Sequence, residues 1–146
     1  MATRAGVGEQ VSAITERAMR GELDFSQSFS ERLCLLRNLD ASTAVEIAKS
    51  LPYTDGAREL ITTLRARGLR TVIISGGFSL FADHVAAELG MDEYFANTLE
   101  AVDGLLTGVA IPPIVNADYK EAKLREIADS IGINLRQTLA VGDGAN

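Results

Sequence analysis

The chain has a single cysteine, Cys34, in 146 residues, so no internal disulfide and no cysteine-based metal site can form. An unbridged thiol suits a reducing compartment, and a cytoplasmic location is expected. Basic side chains are also few: 14 Lys and Arg stand against 20 Asp and Glu, giving a formal net charge of −6 with no basic cluster. A nucleic-acid partner is therefore not expected, because phosphate backbones are held by clustered Lys and Arg. No apolar run approaches the roughly 20 residues that cross a bilayer, and residues 1–20 lack the continuous apolar core of a signal peptide, so no membrane partner is expected either. Internal repeats and low-complexity segments are absent. The remaining composition is that of a soluble globular chain, 47% hydrophobic and 23% charged. Its length suits about one domain with a buried core.

Residues 1–51 read as helical. Val7, Val11, Ile14 and Ala18 recur at spacings of four, three and four, the stripe of an amphipathic helix that Gly21 interrupts. Phe25, Phe29, Leu33 and Leu36 mark a second helix, and Asp40 is placed to cap a short third one through Lys49. Pro52 closes this block. Asp55 can then cap a helix carrying Leu60, Ile61 and Leu64, which Gly68 ends before a buried strand from Leu69 to Ile74. A helix over residues 79–89 stops at Gly90, and residues 95–102 read as extended. Asp103-Gly104 signals a hairpin returning through Leu105 to Ile111. Leu124, Ile127, Ala128 and Ile131 mark the last helix, Gly132 its end, and Thr138 to Val141 a last strand. Strands alternating with helical crossovers imply an α/β fold with a parallel sheet core (52–146) beside a small helical cap (1–51).

Two strand ends carry chemistry. One runs into Gly142-Asp143-Gly144-Ala145-Asn146, the other into Ser75-Gly76-Gly77-Phe78. A strand that delivers a carboxylate into a glycine-rich turn suits Mg²⁺ and phosphate, since hard oxygen ligands fit the metal and glycines let backbone approach. Taken singly, each has a plainer reading: the first is an ordinary tight turn, and Ser75 is a helix N-cap. Arg32 and Lys120, read from spacing alone, are surface charges, and Met19 and Phe25 are core residues at helix ends. His84 and Cys34 are read as structural.

In order along the chain, Ser75-Gly76-Gly77-Phe78 after a β-branched strand, Lys120 opening a helix, and Gly142-Asp143-Gly144-Ala145-Asn146 resemble the second, third and fourth motifs of the haloacid dehalogenase superfamily. More narrowly, Ala18-Met19-Arg20-Gly21-Glu22-Leu23-Asp24-Phe25, the Arg32 that follows and Ala96-Asn97-Thr98-Leu99-Glu100 resemble the phosphoserine phosphatases of that superfamily. The likeness covers essentially the whole chain. It departs at one point: the family's first motif, Asp-x-Asp-x-Thr, which supplies the nucleophilic aspartate and the general acid, does not occur in this sequence. The cap glutamate that meets the substrate ammonium would precede Met1, and a second metal-binding aspartate would follow Asn146. The chain is therefore expected to be an internal fragment whose central first strand is missing, inactive on its own.

The resemblance implies Mg²⁺-dependent hydrolysis of O-phospho-L-serine to L-serine and phosphate through a phosphoaspartyl intermediate, the last step of serine biosynthesis. It implies Asp143 as a metal ligand, and Ser75 Oγ with the Gly76 N–H, at the start of the following helix, as donors to phosphoryl oxygens. Lys120 would add positive charge against nucleophile and phosphate, Arg32 would clamp the serine carboxylate with its planar fork, Met19 and Phe25 would close over the substrate, and Asn146 would orient nearby anionic groups. Two other readings stay open. A related phosphatase or phosphotransferase would be separated by competition between an alcohol acceptor and water. A non-catalytic phosphoserine-binding module would be separated by whether an in-frame first motif lies upstream. The sequence does not fix an oligomeric state.

Overall fold

Helices in this protein begin mostly where a side-chain oxygen is available for their free amides. A computed structural model describes residues 1–2 and 5–142. Helix α1 spans Gly8–Met19 and α2 spans Phe25–Cys34. Asp24 opens α2 with a capping box: its carboxylate accepts from the Gln27 N–H at 2.7 Å, and the Gln27 side chain accepts from the Asp24 N–H at 3.0 Å. Asp40 caps α3 (Ala41–Lys49) as expected, accepting from the Ser42 N–H at 2.8 Å. The start of α4 (Ala57–Ala66) differs from expectation. Gly56, left-handed at φ 81°, is the N-cap and no side chain caps it, so the Asp55 assignment is corrected by one residue. The sharp entry that glycine permits takes precedence over the side-chain cap.

The sheet has the order β1-β2-β3. Strand β1 (Val72–Phe78) lies parallel to β2 (Glu93–Val102), with helix α5 (Ser79–Leu89) as the crossover and Gly90 at φ 69° ending it. The hairpin turns at Asp103 and Gly104, both at positive φ, and β3 (Leu105–Ile111) returns antiparallel. The expected α/β core is thus a mixed sheet, one parallel pair plus a hairpin. Helix α6 (Ala117–Ser130) and a 3₁₀ turn at Leu135–Gln137 follow.

Two strand expectations change. Strand β1 does not stop at Ile74 but runs to Phe78, because pairing with β2 resumes beyond a bulge: Ser75 faces Ala96 and Phe78 faces Asn97, with a register shift between them. Thr138 to Val141 is not a strand. A strand exists only when its backbone is paired, and among the described residues this run has no neighbour, leaving Leu139 and Val141 each 84% exposed.

The main core joins the helical segment to the hairpin. Phe29, Leu33 and Leu36 pack with Leu106 and Ala110 of β3, and α3 lies against α5. Gly108, buried at φ 81°, lets α2 approach: a Cβ there would lie 3.1 Å from the Leu33 carbonyl oxygen and 3.2 Å from the Cys34 Cα. Gly108→Ala is expected to lower stability by about 2 kcal/mol or more, from overpacking plus left-handed backbone strain, as read by urea denaturation. Cys34, beside buried Leu33, is itself exposed.

Asp92 fastens the starts of β1 and β2. Its Oδ2 accepts from the Thr71 N–H at 2.7 Å and from the Thr71 hydroxyl at 2.9 Å. The backbone bond first, then the hydroxyl, hold this carboxyl below the ordinary aspartate value. A carboxylate depressed in the folded state contributes stability above its unfolded pKa, about 3.9, and loses it as pH falls through the folded value. Asp92→Asn should therefore lower the denaturation midpoint at neutral pH, with the gap to the parent closing below about pH 4.

Candidate active site

Ser75, Gly76 and Gly77 occupy the bulge of β1, not the start of a helix. Helix α5 begins at Ser79 with Phe78 as its N-cap, so Ser75 is not its capping residue and the Gly76 N–H is not at its N-terminus. Pairing with β2 on either side of the bulge keeps the chain extended through both glycines, and the helix begins at Ser79, as the reading of residues 79–89 expected. Ser75 Oγ instead accepts from the Gly77 N–H at 3.0 Å. That bond engages a hydroxyl lone pair and leaves the hydroxyl proton to be donated elsewhere.

Asn97 on β2 holds this loop from beneath. Its side-chain amide is fully buried, donating through Nδ2 to the Gly76 carbonyl at 2.9 Å and the Gly77 carbonyl at 3.3 Å, while its Oδ1 accepts from the Val115 N–H at 2.8 Å. Val115 is also buried, and its carbonyl oxygen lies 3.4 Å from where a Gly76 Cβ would be. The segment leading into α6 therefore runs directly beside the loop. The next residue, Asn116, caps α6 by accepting from the Tyr119 N–H at 2.8 Å, and Lys120 sits in that first turn, half-buried. Lys123, one turn later, is engaged: its Nζ lies 2.6 Å from Glu126 and 4.8 Å from the centre of the Phe95 ring. Among the described residues Lys120 makes no ion pair of this kind.

An aromatic column connects the helical segment to the loop. Phe25 stacks on Phe29 at 5.7 Å, Phe29 meets Phe78 at 6.4 Å, and Phe78 meets Phe81 at 6.2 Å. Phe78 directly follows Gly77, so the first turn of α2 is linked by ring contacts to the residue after the loop. Phe25, Phe29 and Arg32 fall on one face of α2 by helical periodicity. Arg32 is half-buried, and its Nε donates to the Ser28 carbonyl at 3.1 Å. Met19 ends α1 and is 84% exposed, outside the column. Helix α1 is tied to α2 by Arg17 and Glu31 at 2.9 Å.

Asp143 and Asn146 lie outside the described residues. Among the described residues no three His, Cys, Asp or Glu side chains come together as a possible metal group. The described part of the site thus does not by itself fit Mg²⁺. No helix among them is long and apolar enough to cross a membrane.

Sequence reading gave Asn97 no role, although it lies in the quoted run Ala96 to Glu100. The available signal was a lone amide following Phe95 and Ala96 in a strand, a residue type that is buried only when its hydrogen bonds are met.

The family model described as haloacid dehalogenase-like hydrolase matches residues 3–146. A phosphoserine phosphatase from Streptococcus thermophilus is 46% identical over 142 residues, covering 97% of this chain and 66% of its own length. Two solved structures, a substrate-bound phosphoserine phosphatase and a phospho-aspartyl intermediate analogue of phosphoserine phosphatase, each superpose with a TM-score of 0.89 at 40% identity, covering 98% of this chain and 68% of theirs. The chain spans from 35% to 66% of the length of the curated relatives it matches.

Proposed function

This chain belongs to the haloacid dehalogenase-like hydrolase family, and we propose that it forms the helical cap (1–51) and most of the α/β core (52–146) of a cytoplasmic phosphoserine phosphatase that makes L-serine. The observation carrying this reading is that an alignment to a phosphoserine phosphatase at 46% identity covers 97% of the chain, a span that takes in both the segment bearing Arg32 and the Ser75 loop. The aromatic column from Phe25 to Phe78 supports it, because one substrate must touch both.

In the intact enzyme an aspartate from polypeptide outside these 146 residues attacks phosphorus. The serine oxygen leaves with a proton from a second such aspartate, and water then hydrolyses the acyl phosphate. The Ser75 hydroxyl and the Gly76 N–H donate to non-bridging oxygens, where charge is held during transfer. Lys120 adds a point charge to the same group, Arg32 receives the serine carboxylate as a two-pronged hydrogen bond, and Phe25 and Met19 exclude water above it. Asn146 orients the anionic groups. Asp143 is the residue of this chain assigned to Mg²⁺, which when bound screens the two anions from each other.

Two measurements on phosphate release test the reading. The intact enzyme is expected to pass the phosphoryl group to water even with an alcohol acceptor in excess. The 146 residues alone are expected to release no phosphate from O-phosphoserine. Mg²⁺-dependent release by the rigorously purified 146 residues would overturn the assignment of the nucleophile to another segment, and transfer to the alcohol would make the enzyme a phosphotransferase.

A further inference from the structure

We propose that Asn97 is a positioning residue that sets the Ser75 hydroxyl and the lead into the Lys120 helix at the spacing a phosphoryl group requires; the proposal rests on the phosphatase reading above. The β1 bulge leaves Gly76 and Gly77 without partners in the ladder, since register passes from Ser75–Ala96 directly to Phe78–Asn97. Asn97 fills that gap with its side chain. Its amide group donates to both glycine carbonyls and its oxygen accepts from Val115, so its hydrogen bonds go to two separate segments.

The consequence reaches Ser75 through peptide planarity. The Gly76 carbonyl and the Gly77 N–H belong to one rigid plane and point in opposite directions. Fixing that carbonyl at 2.9 Å from Asn97 aims the Gly77 N–H at Ser75 Oγ, which it meets at 3.0 Å. One serine lone pair is engaged, and the hydroxyl proton stays available to a ligand. On the other arm, the bond to Val115 fixes the residue before Asn116, the cap of α6, and hence the turn that carries Lys120. One buried amide therefore sets the loop and the lysine helix relative to each other. With no exposure at Asn97, no water competes for these bonds.

Asn97→Asp separates the two arms. The carboxylate keeps an acceptor for Val115 but has no donor for the glycine carbonyls. In the intact enzyme this variant is expected to lower kcat by about ten- to a hundredfold, the cost of a small misplacement of reacting groups, with KM changed less than about threefold. Combined with Ser75→Ala, the loss is expected to fall at least about tenfold short of the product of the single losses, because Asn97 acts through Ser75. A residue that only stabilises the fold gives the opposite pattern. Asp92→Asn, a destabilised control at the starts of β1 and β2, the end of the strands away from the loop, should retain kcat, and a purely structural Asn97 would behave like it. If Asn97→Asp does not fold, Asn97→Ser, which leaves room for a water, is measured in its place. Unchanged kcat in a folded Asn97 variant, or losses that multiply with Ser75→Ala, overturns the proposal, as does failure of both variants to fold. The cycle is run on whichever phosphomonoester the intact enzyme turns over. Failure to accept O-phosphoserine thus counts against the phosphatase reading, while additivity counts against Asn97 alone.

Discussion

Ser75→Ala in the intact enzyme is expected to lower kcat for O-phosphoserine by about ten- to a thousandfold, the range for removing one preorganised donor from a charge-bearing transition state. The bulge geometry explains why so small a side chain carries so much. Ser75 Oγ already accepts from the Gly77 N–H at 3.0 Å, so one lone pair is engaged and the hydroxyl proton stays available for donation. Alanine also releases the Gly77 N–H, loosening a loop that Asn97 holds from the other side. Steady-state kinetics with saturating substrate check this, and a kcat equal to the parent's would return Ser75 to a purely local turn role.

Arg32→Ala should instead change selectivity. A hydrogen bond to a charged group is worth about 1.5 to 3 kcal/mol, so KM for O-phosphoserine should rise about ten- to a hundredfold. An aryl phosphate, which has no carboxylate for the guanidinium, should be affected much less. The helix carrying Arg32 rests on the loop side of the molecule through Phe29 and Phe78, and its first turn is fastened by the Asp24–Gln27 capping box. Removing Arg32 leaves those contacts in place. Equal losses on both substrates would reject the carboxylate assignment.

The sequence made helices and the hairpin legible because their signals are local. Asp40 caps α3, Gly90 ends α5 and Asp103-Gly104 turns the hairpin, each as read from its neighbours in sequence. What the sequence concealed depends on pairing between distant segments. The apolar run from Thr138 to Val141 has strand composition, yet the described residues offer it no neighbour, and it is not a strand. The extension of β1 through Ser75-Gly76-Gly77 likewise follows from β2 continuing alongside, which no window around Ser75 contains. It leaves Gly76 in the bulge, three residues before α5 begins. Asn97 was hidden for the same reason: its partners lie 20, 21 and 18 residues away in sequence. The roles proposed for Arg32 and Lys120 come from resemblance, since a lone cation has no periodic signature.

The central claim, that this chain is the cap and core of an enzyme specific for phosphoserine, is tested most directly by kcat/KM of the intact enzyme across O-phospho-L-serine, O-phosphothreonine, phosphoethanolamine and an aryl phosphate. The role proposed for Arg32 as the carboxylate's partner predicts that O-phospho-L-serine is preferred by about tenfold or more over phosphoethanolamine, which lacks only the carboxylate. Equal turnover of all four compounds, or none of O-phospho-L-serine, would contradict it.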